Sequence, residues 1–173
     1  MQKTRLLFVI KSLGVGGTED ELVKIANALN PREFELKIIV CRKTKALYSR
    51  IKNKRSVMFC KQGGLDSFLG KLSFIKKATE DIKPDLVLAF GIYASLLCLL
   101  AKTMALIGSN ICVFVGGVLT DTLSYYPNSL VRGQLCKWLY PKANYFIASS
   151  HAVARDLSRY DIKMSKISVI PSS

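Results

Sequence analysis

The residues whose type and spacing could do chemistry sit at glycine-bearing turns. Gly14-Val15-Gly16-Gly17 follows an apolar run, Leu6 to Ile10, and opens onto an amphipathic stretch. Gly116-Gly117 follows a second run, Ile111 to Val115, and Gly91 closes a third, Leu86 to Phe90. A strand that turns at once into a helix needs positive φ or close backbone approach, and glycine supplies both without a Cβ clash. Such turns bring backbone N–H groups up to phosphates or sugars at the carboxyl ends of strands. Asp121, just past Gly117, adds a carboxylate that reads as a cleft residue, a helix cap or a solvated loop residue.

Two common phosphate sites are excluded. Counting from Gly14, the sixth position of G-x-G-x-x-G is Glu19, so the dinucleotide fingerprint fails. No Gly-Lys-Ser/Thr follows, so this is not a P-loop. Glu19, Asp20 and Glu21 fill the first helical turn, where they suit the dipole but repel a phosphate. Cations for a diphosphate must therefore come from elsewhere. His151 is the only histidine, which rules out a multi-histidine metal site. No metal and no bound cofactor is expected.

The elements that position these turns alternate along the chain. Thr18 reads as the N-cap of the first helix, with Glu21 completing a capping box. Leu22, Ile25, Ala26 and Leu29 recur at helical spacing. Pro31 ends that helix, and Phe34 to Cys41 reads as the second strand. Arg42 to Arg55 carries seven basic residues and no acid. With Ala46, Leu47, Tyr48 and Ile51 it reads as an amphipathic helix, either simply solvated or meeting anionic lipid.

Val57 to Cys60 is a short third strand, Gly63-Gly64 a turn, and Asp66 or Ser67 the cap of a helix running to Ile82. Leu86 to Phe90 is the fourth strand, and an apolar helix from about Tyr93 to Leu106 follows. Leu86 to Ala101 is uncharged over sixteen residues, which is short for a membrane span and divided by Gly91. Ile111 to Val115 is the fifth strand. Ser124 to Tyr140 reads as a helix, either packed on the sheet or partly exposed as an aromatic and basic surface for lipid. Tyr145 to Ala148 and Ile167 to Ile170 are the last two strands, with a helix from Ala152 to Tyr160 capped by Ser149 or Ser150. The alternation predicts an α/β, Rossmann-like, doubly wound and mostly parallel sheet of about seven strands, with helices on both faces, in a single domain over residues 1–173.

Composition agrees. Half of the 173 residues are hydrophobic, enough for a sizeable core. Cys41, Cys60, Cys98, Cys112 and Cys136 are scattered singly, with no zinc or C-x-x-C spacing, as expected of a cytoplasmic protein. Lys3 and Arg5 precede only five apolar residues before Lys11, too few for a secretory leader. A formal charge of +14 favours an anionic surface. With no nucleic-acid recognition motif, and with aromatics at core spacing, that surface is expected to be membrane rather than nucleic acid.

Three stretches carry a family resemblance. FVIKSLGVGGTEDELVKIANAL, with Gly16-Gly17-Thr18-Glu19, is similar to the opening of group 1 (family 4) GT-B glycosyltransferases. PDLVLAFGIYASLLCLLAK resembles their Pro-Asp strand and apolar helix. YFIASSHAVARDL with KISVIPSS resembles their late Ser-ending strand and the start of their interdomain linker. The resemblance covers nearly the whole chain.

It implies the N-terminal, acceptor-side half of a retaining enzyme. Such an enzyme moves a sugar from a nucleotide-sugar donor to a lipid-linked or polysaccharide acceptor without an obligatory metal. Its partner would be a C-terminal donor-binding domain, and this half would be inactive alone, peripheral at the inner face of the membrane. Donor- and acceptor-binding residues are expected among Gly16, Gly17, Thr18, Gly91, Gly116, Gly117 and Asp121. Phe90 and Gly116 stand where many relatives have histidine. Two other readings stay open: a non-catalytic Rossmann-like binding module or split-transferase subunit, and a nucleotide-sugar epimerase half of the same fold.

Overall fold

The computed structural model describes residues 2–60, 68–125 and 127–171. Seven strands form one sheet: β1 (Thr4–Ile10), β2 (Phe34–Val40), β3 (Val57–Phe59), β4 (Leu86–Phe90), β5 (Asn110–Val115), β6 (Tyr145–Ala148) and β7 (Ile167–Val169). Their order is β3-β2-β1-β4-β5-β6-β7 and every pairing is parallel. The chain winds outward from β1 to one edge, crosses back to β4, and winds to the other. The carboxyl ends of β1 and β4 therefore flank the reversal of strand order, where α/β sheets bind ligands.

Among the described residues six α-helices accompany the sheet: α1 (Gly17–Ala28), α2 (Phe68–Ile82), α3 (Gly91–Thr103), α4 (Leu119–Ser124), α5 (Ser129–Leu139) and α6 (His151–Leu157). The central strands read as unbroken apolar runs because both faces are covered. On one face Leu7, Val9, Val87, Ala89, Ile111 and Val113 pack against α2, α3, α5 and α6. On the other, Phe8, Ile10, Leu88, Phe90 and Phe114 meet α1 through Leu22 and Val23. Phe90 stacks between Phe8 and Phe114, with centroids 5.2 Å away on each side. A side chain of this size fully buried stabilises by about 1.5–3 kcal/mol.

Four local expectations need correction. Helix α1 starts two residues early: Gly16 is its N-cap, in extended conformation, and Thr18 lies inside the first turn. The capping box does not form, because Glu21 pairs with Lys24 at 3.1 Å. The basic stretch 42–55 is not a helix. It makes two 3₁₀ turns, Tyr48–Arg50 and Lys54–Ser56. Its backbone is held from outside, by Leu13 N–H to the Thr44 carbonyl at 3.1 Å and Leu47 N–H to the Leu13 carbonyl at 3.0 Å. Leu47, Tyr48 and Ile51 pack inward while the cations stay at the surface. The helix expected over 124–140 begins only at Ser129, as α5, and an unexpected short helix, α4, precedes it and ends at Ser124. Pro127 and a left-handed Asn128 (φ 63°) separate α4 from α5. Finally, α6 is a short α-helix continued by a 3₁₀ turn at Ser158–Tyr160.

Other expectations hold. Ser150, not Ser149, caps α6, accepting from Val153 N–H at 3.2 Å. The five cysteines are buried and unbridged. The Leu86 to Ala101 run is β4 and part of α3, and no helix among the described residues is long and apolar enough to cross a membrane. The Gly63-Gly64 turn and the Asp66 or Ser67 cap lie outside the described residues.

Candidate functional site

The carboxyl ends of β4 and β5 and the first turn of α1 enclose a crevice of about 100 Å³. Thr18, Gly91, Gly116 and Gly117 line it, with Ile92, Leu119, Thr122 and Tyr140 behind them. Four of the seven residues expected at a site thus share one wall. Gly16 and Gly17 lie next to that wall in sequence, in the turn that delivers Thr18 to it. Asp121 is not part of the wall. It is an exposed residue in the first turn of α4, whose N-cap is Val118.

Each turn is held for a local reason. Gly91 has φ +76°, a conformation that side-chain-bearing residues pay to adopt, and the Ser95 hydroxyl donates to its carbonyl at 2.8 Å. Gly116 is pinned from β6: the Ser149 hydroxyl donates to its carbonyl at 3.0 Å, and Ser149 N–H donates to the Val115 carbonyl at 3.1 Å. Helix α4 is tied to α6 by the buried carboxylate of Asp156, which accepts from Thr120 N–H at 3.0 Å and the Thr120 hydroxyl at 2.7 Å. These contacts hold two glycine turns and one short helix at the rim.

The described residues of this wall carry no charged side chain, and the nearby acids of α1 lie outside it. A Cβ placed on Gly16 would lie 2.5 Å from a Glu19 carboxylate oxygen, so that carboxylate folds back over the glycine loop. Asp20 is neutralised by Arg50 at 2.6 Å and Lys24 at 3.4 Å, and these partners hold its carboxyl below the usual range. Among the described lining residues only Tyr140 is ionisable, and burial pushes its hydroxyl well above the ordinary tyrosine range. The crevice offers backbone amides and the hydroxyls of Thr18 and Thr122, but no general base at neutral pH. Among the described residues no group of three or more metal-ligating side chains comes together.

The sequence reading missed Thr122, Tyr140 and Ser95 at this site. Thr122 lay in the unassigned stretch between Gly117 and Ser124, and Tyr140 at the end of the stretch read as one helix. Ser95 sits one turn past Gly91 on the apolar α3, and that i, i+4 spacing was the available signal. Two roomier grooves lie elsewhere. One, of about 310 Å³, runs between α1, β2 and the basic stretch, and the other lies by Arg5 and Pro84.

A doubly wound parallel sheet with a glycine-walled crevice beside its reversal point is a Rossmann-like α/β domain. The family model for Glycosyltransferase Family 4 matches residues 15–172, and the chain belongs to that family. A search of curated proteins by sequence finds no match. Among solved structures, Anabaena Alr3699/HepE in complex with UDP and glucose is similar at a TM-score of 0.72 and 17% identity, over 98% of this chain and 45% of that one. The lipopolysaccharide outer core galactosyltransferase WaaB is similar at a TM-score of 0.69 and 14% identity, over 98% and 46%. A Neisseria meningitidis UDP-GlcNAc 2-epimerase bound to UDP-GlcNAc is similar at a TM-score of 0.63 and 18% identity, over 97% and 45%. The chain spans about half the length of these relatives.

Proposed function

We propose that this chain is the acceptor-side domain of a retaining GT-B glycosyltransferase. The observation that carries this reading is the crevice wall of Thr18, Gly91, Gly116 and Gly117, which is rich in amides and hydroxyls and poor in cations. Such a wall suits the hydroxyls of a glycan or lipid-linked saccharide. It does not suit the diphosphate of a nucleotide-sugar donor, which needs cations that the Glu19 carboxylate would oppose. The donor, used as substrate and without a metal, is then gripped by a C-terminal domain facing this rim. Alone, the chain binds acceptor and turns nothing over.

The chain's charge of +14 supports a position at the anionic cytoplasmic leaflet, where a lipid-linked acceptor would be presented. A second reading, a non-catalytic binding module, is favoured by one observation: among the described crevice-lining residues no group can act as a base near neutral pH.

Calorimetry of the chain against two ligand sets tests the assignment. Short-chain lipid-linked saccharides should bind, and UDP- and GDP-sugars should bind at least about a hundredfold more weakly. Tight nucleotide-sugar binding without acceptor binding would overturn it and favour the donor-side or epimerase alternatives.

A further inference from the structure

Helix α5 has two apolar faces. The inner one, Cys136 and Leu139 with the neighbouring Tyr140, is buried against the core. The outer one is open: Val131, Leu135 and Trp138 recur at i, i+4 and i+7, with Leu130 beside them at 84% exposure and Trp138 at 53%. Tyr125, the C-cap of α4, is exposed at 86%. An apolar stripe of this breadth marks an interaction surface.

Charge selects the partner. Between Asp121 and Asp156 the chain has no acidic residue, while Arg132, Lys137, Lys142 and Arg155 are basic. Lys142 Nζ stands 5.2 Å from the Trp138 ring centroid, so a cation caps the aromatic anchor. Tryptophan, tyrosine and aliphatic side chains beside lysines match the boundary between acyl chains and anionic headgroups. A second copy would bring the same net charge of +14 against itself.

Helix α4 leads along the chain from the crevice toward α5. Leu119 and Thr122 of α4 line the crevice, and Tyr125 caps the same short helix at its other end. A lipid-linked sugar could therefore pass from bilayer to crevice along α4. We propose that the outer face of α5, with Tyr125, is the membrane-docking surface of this domain and takes anionic phospholipid. The proposal rests on the acceptor-side reading and names the face that presents the acceptor.

Trp138 is the only tryptophan of the chain, so its fluorescence reports on this face alone. The chain is titrated with vesicles of pure phosphatidylcholine and with vesicles containing about a third phosphatidylglycerol, and binding is followed in parallel by co-sedimentation. Anionic vesicles should bind and shift the emission to the blue, and high salt should reverse both. The double variant Leu130→Gln/Leu135→Gln, which alters only exposed positions, should weaken binding by about tenfold or more while keeping the circular dichroism spectrum.

Sedimentation with unchanged emission would overturn the α5 assignment and leave docking to the basic stretch 42–55. Failure to sediment with either vesicle would overturn this proposal and the membrane position together, leaving acceptor binding at the crevice to stand or fall by calorimetry. A blue shift that grows with protein concentration without lipid would show a second copy on this face and overturn the membrane assignment.

Discussion

Thr18 and Gly116 face each other across the crevice. A Cβ built on Gly116 would lie 3.3 Å from the Thr18 Oγ1 and 3.3 Å from the Phe114 ring edge. The first helical turn after β1 and the end of β5 thus meet with space for a backbone but not for a side chain. Gly116→Ala should be accommodated with a loss of about 1 kcal/mol or less, because the Thr18 hydroxyl can rotate away. Gly116→Leu should fill the space and abolish saccharide binding. Calorimetry on the two variants separates these outcomes; full binding by Gly116→Leu would place the acceptor elsewhere.

Asp156 and Thr120 should behave as one unit. Two hydrogen bonds from Thr120 converge on a buried carboxylate, and Arg159 approaches it at 3.6 Å. Asp156→Ala should destabilise by about 2–3 kcal/mol, since it removes charge-assisted bonds and strands Thr120 N–H. In a double-mutant cycle, Thr120→Val and Asp156→Ala should couple by about 1 kcal/mol or more in urea unfolding. Additive losses would mean that α4 is held by packing alone.

Acid stability should depend on Asp85. Arg5 donates its backbone N–H to the Asp85 carboxylate at 2.7 Å and its guanidinium at 3.3 Å. These bonds hold the carboxyl below its ordinary value, the backbone bond contributing most. The stabilisation is complete above the unfolded value, about pH 4, and is lost as the pH falls through the depressed folded value. Urea midpoints measured from about pH 5 down to pH 2 should fall less steeply for Asp85→Asn than for the parent chain. Parallel curves would contradict this.

Thiol chemistry should single out one cysteine. Burial pushes Cys98 and Cys112 up to about 12 and Cys136 up to about 11. Cys41 and Cys60 follow the in-register ends of β2 and β3. A hydrogen bond between the Cys41 and Cys60 thiols raises the value of Cys41 and lowers that of Cys60, and the Lys71 charge lowers Cys60 further. Iodoacetamide at pH 8 should modify Cys60 first, and mass spectrometry of the native protein reads the order. First modification of Cys98 or Cys136 would contradict it.

The fold was legible because parallel strands buried on both faces read as unbroken apolar runs, as Leu6 to Ile10 and Ile111 to Val115 do. The glycine turns were legible for the same reason, since each interrupts such a run. What escaped was decided by tertiary contact. The stretch 42–55 has helical periodicity, but bonds between Leu13 and residues 44 and 47 claim its backbone. The break at Asn128 has only Pro127 to announce it, and local sequence does not say which helix face packs. Thr18 looked like a cap because its hydroxyl can bond in the first turn, yet Gly16 enters the helix and Thr18 faces Gly91 and Gly116 instead. Asp121 drew attention by proximity in sequence, but its position in the first turn of α4 leaves it on the surface.

The central claim is that the wall formed by Thr18, Gly91, Gly116 and Gly117 holds the acceptor sugar. The most direct measurement is an amide chemical-shift titration of the ¹⁵N-labelled chain with a short-chain lipid-linked saccharide. The account predicts saturable shifts at the amides of Thr18, Gly91, Gly116 and Gly117, and none of comparable size with UDP-glucose. Shifts confined to the groove between α1 and the basic stretch, or appearing at these glycines only with the nucleotide sugar, would contradict it.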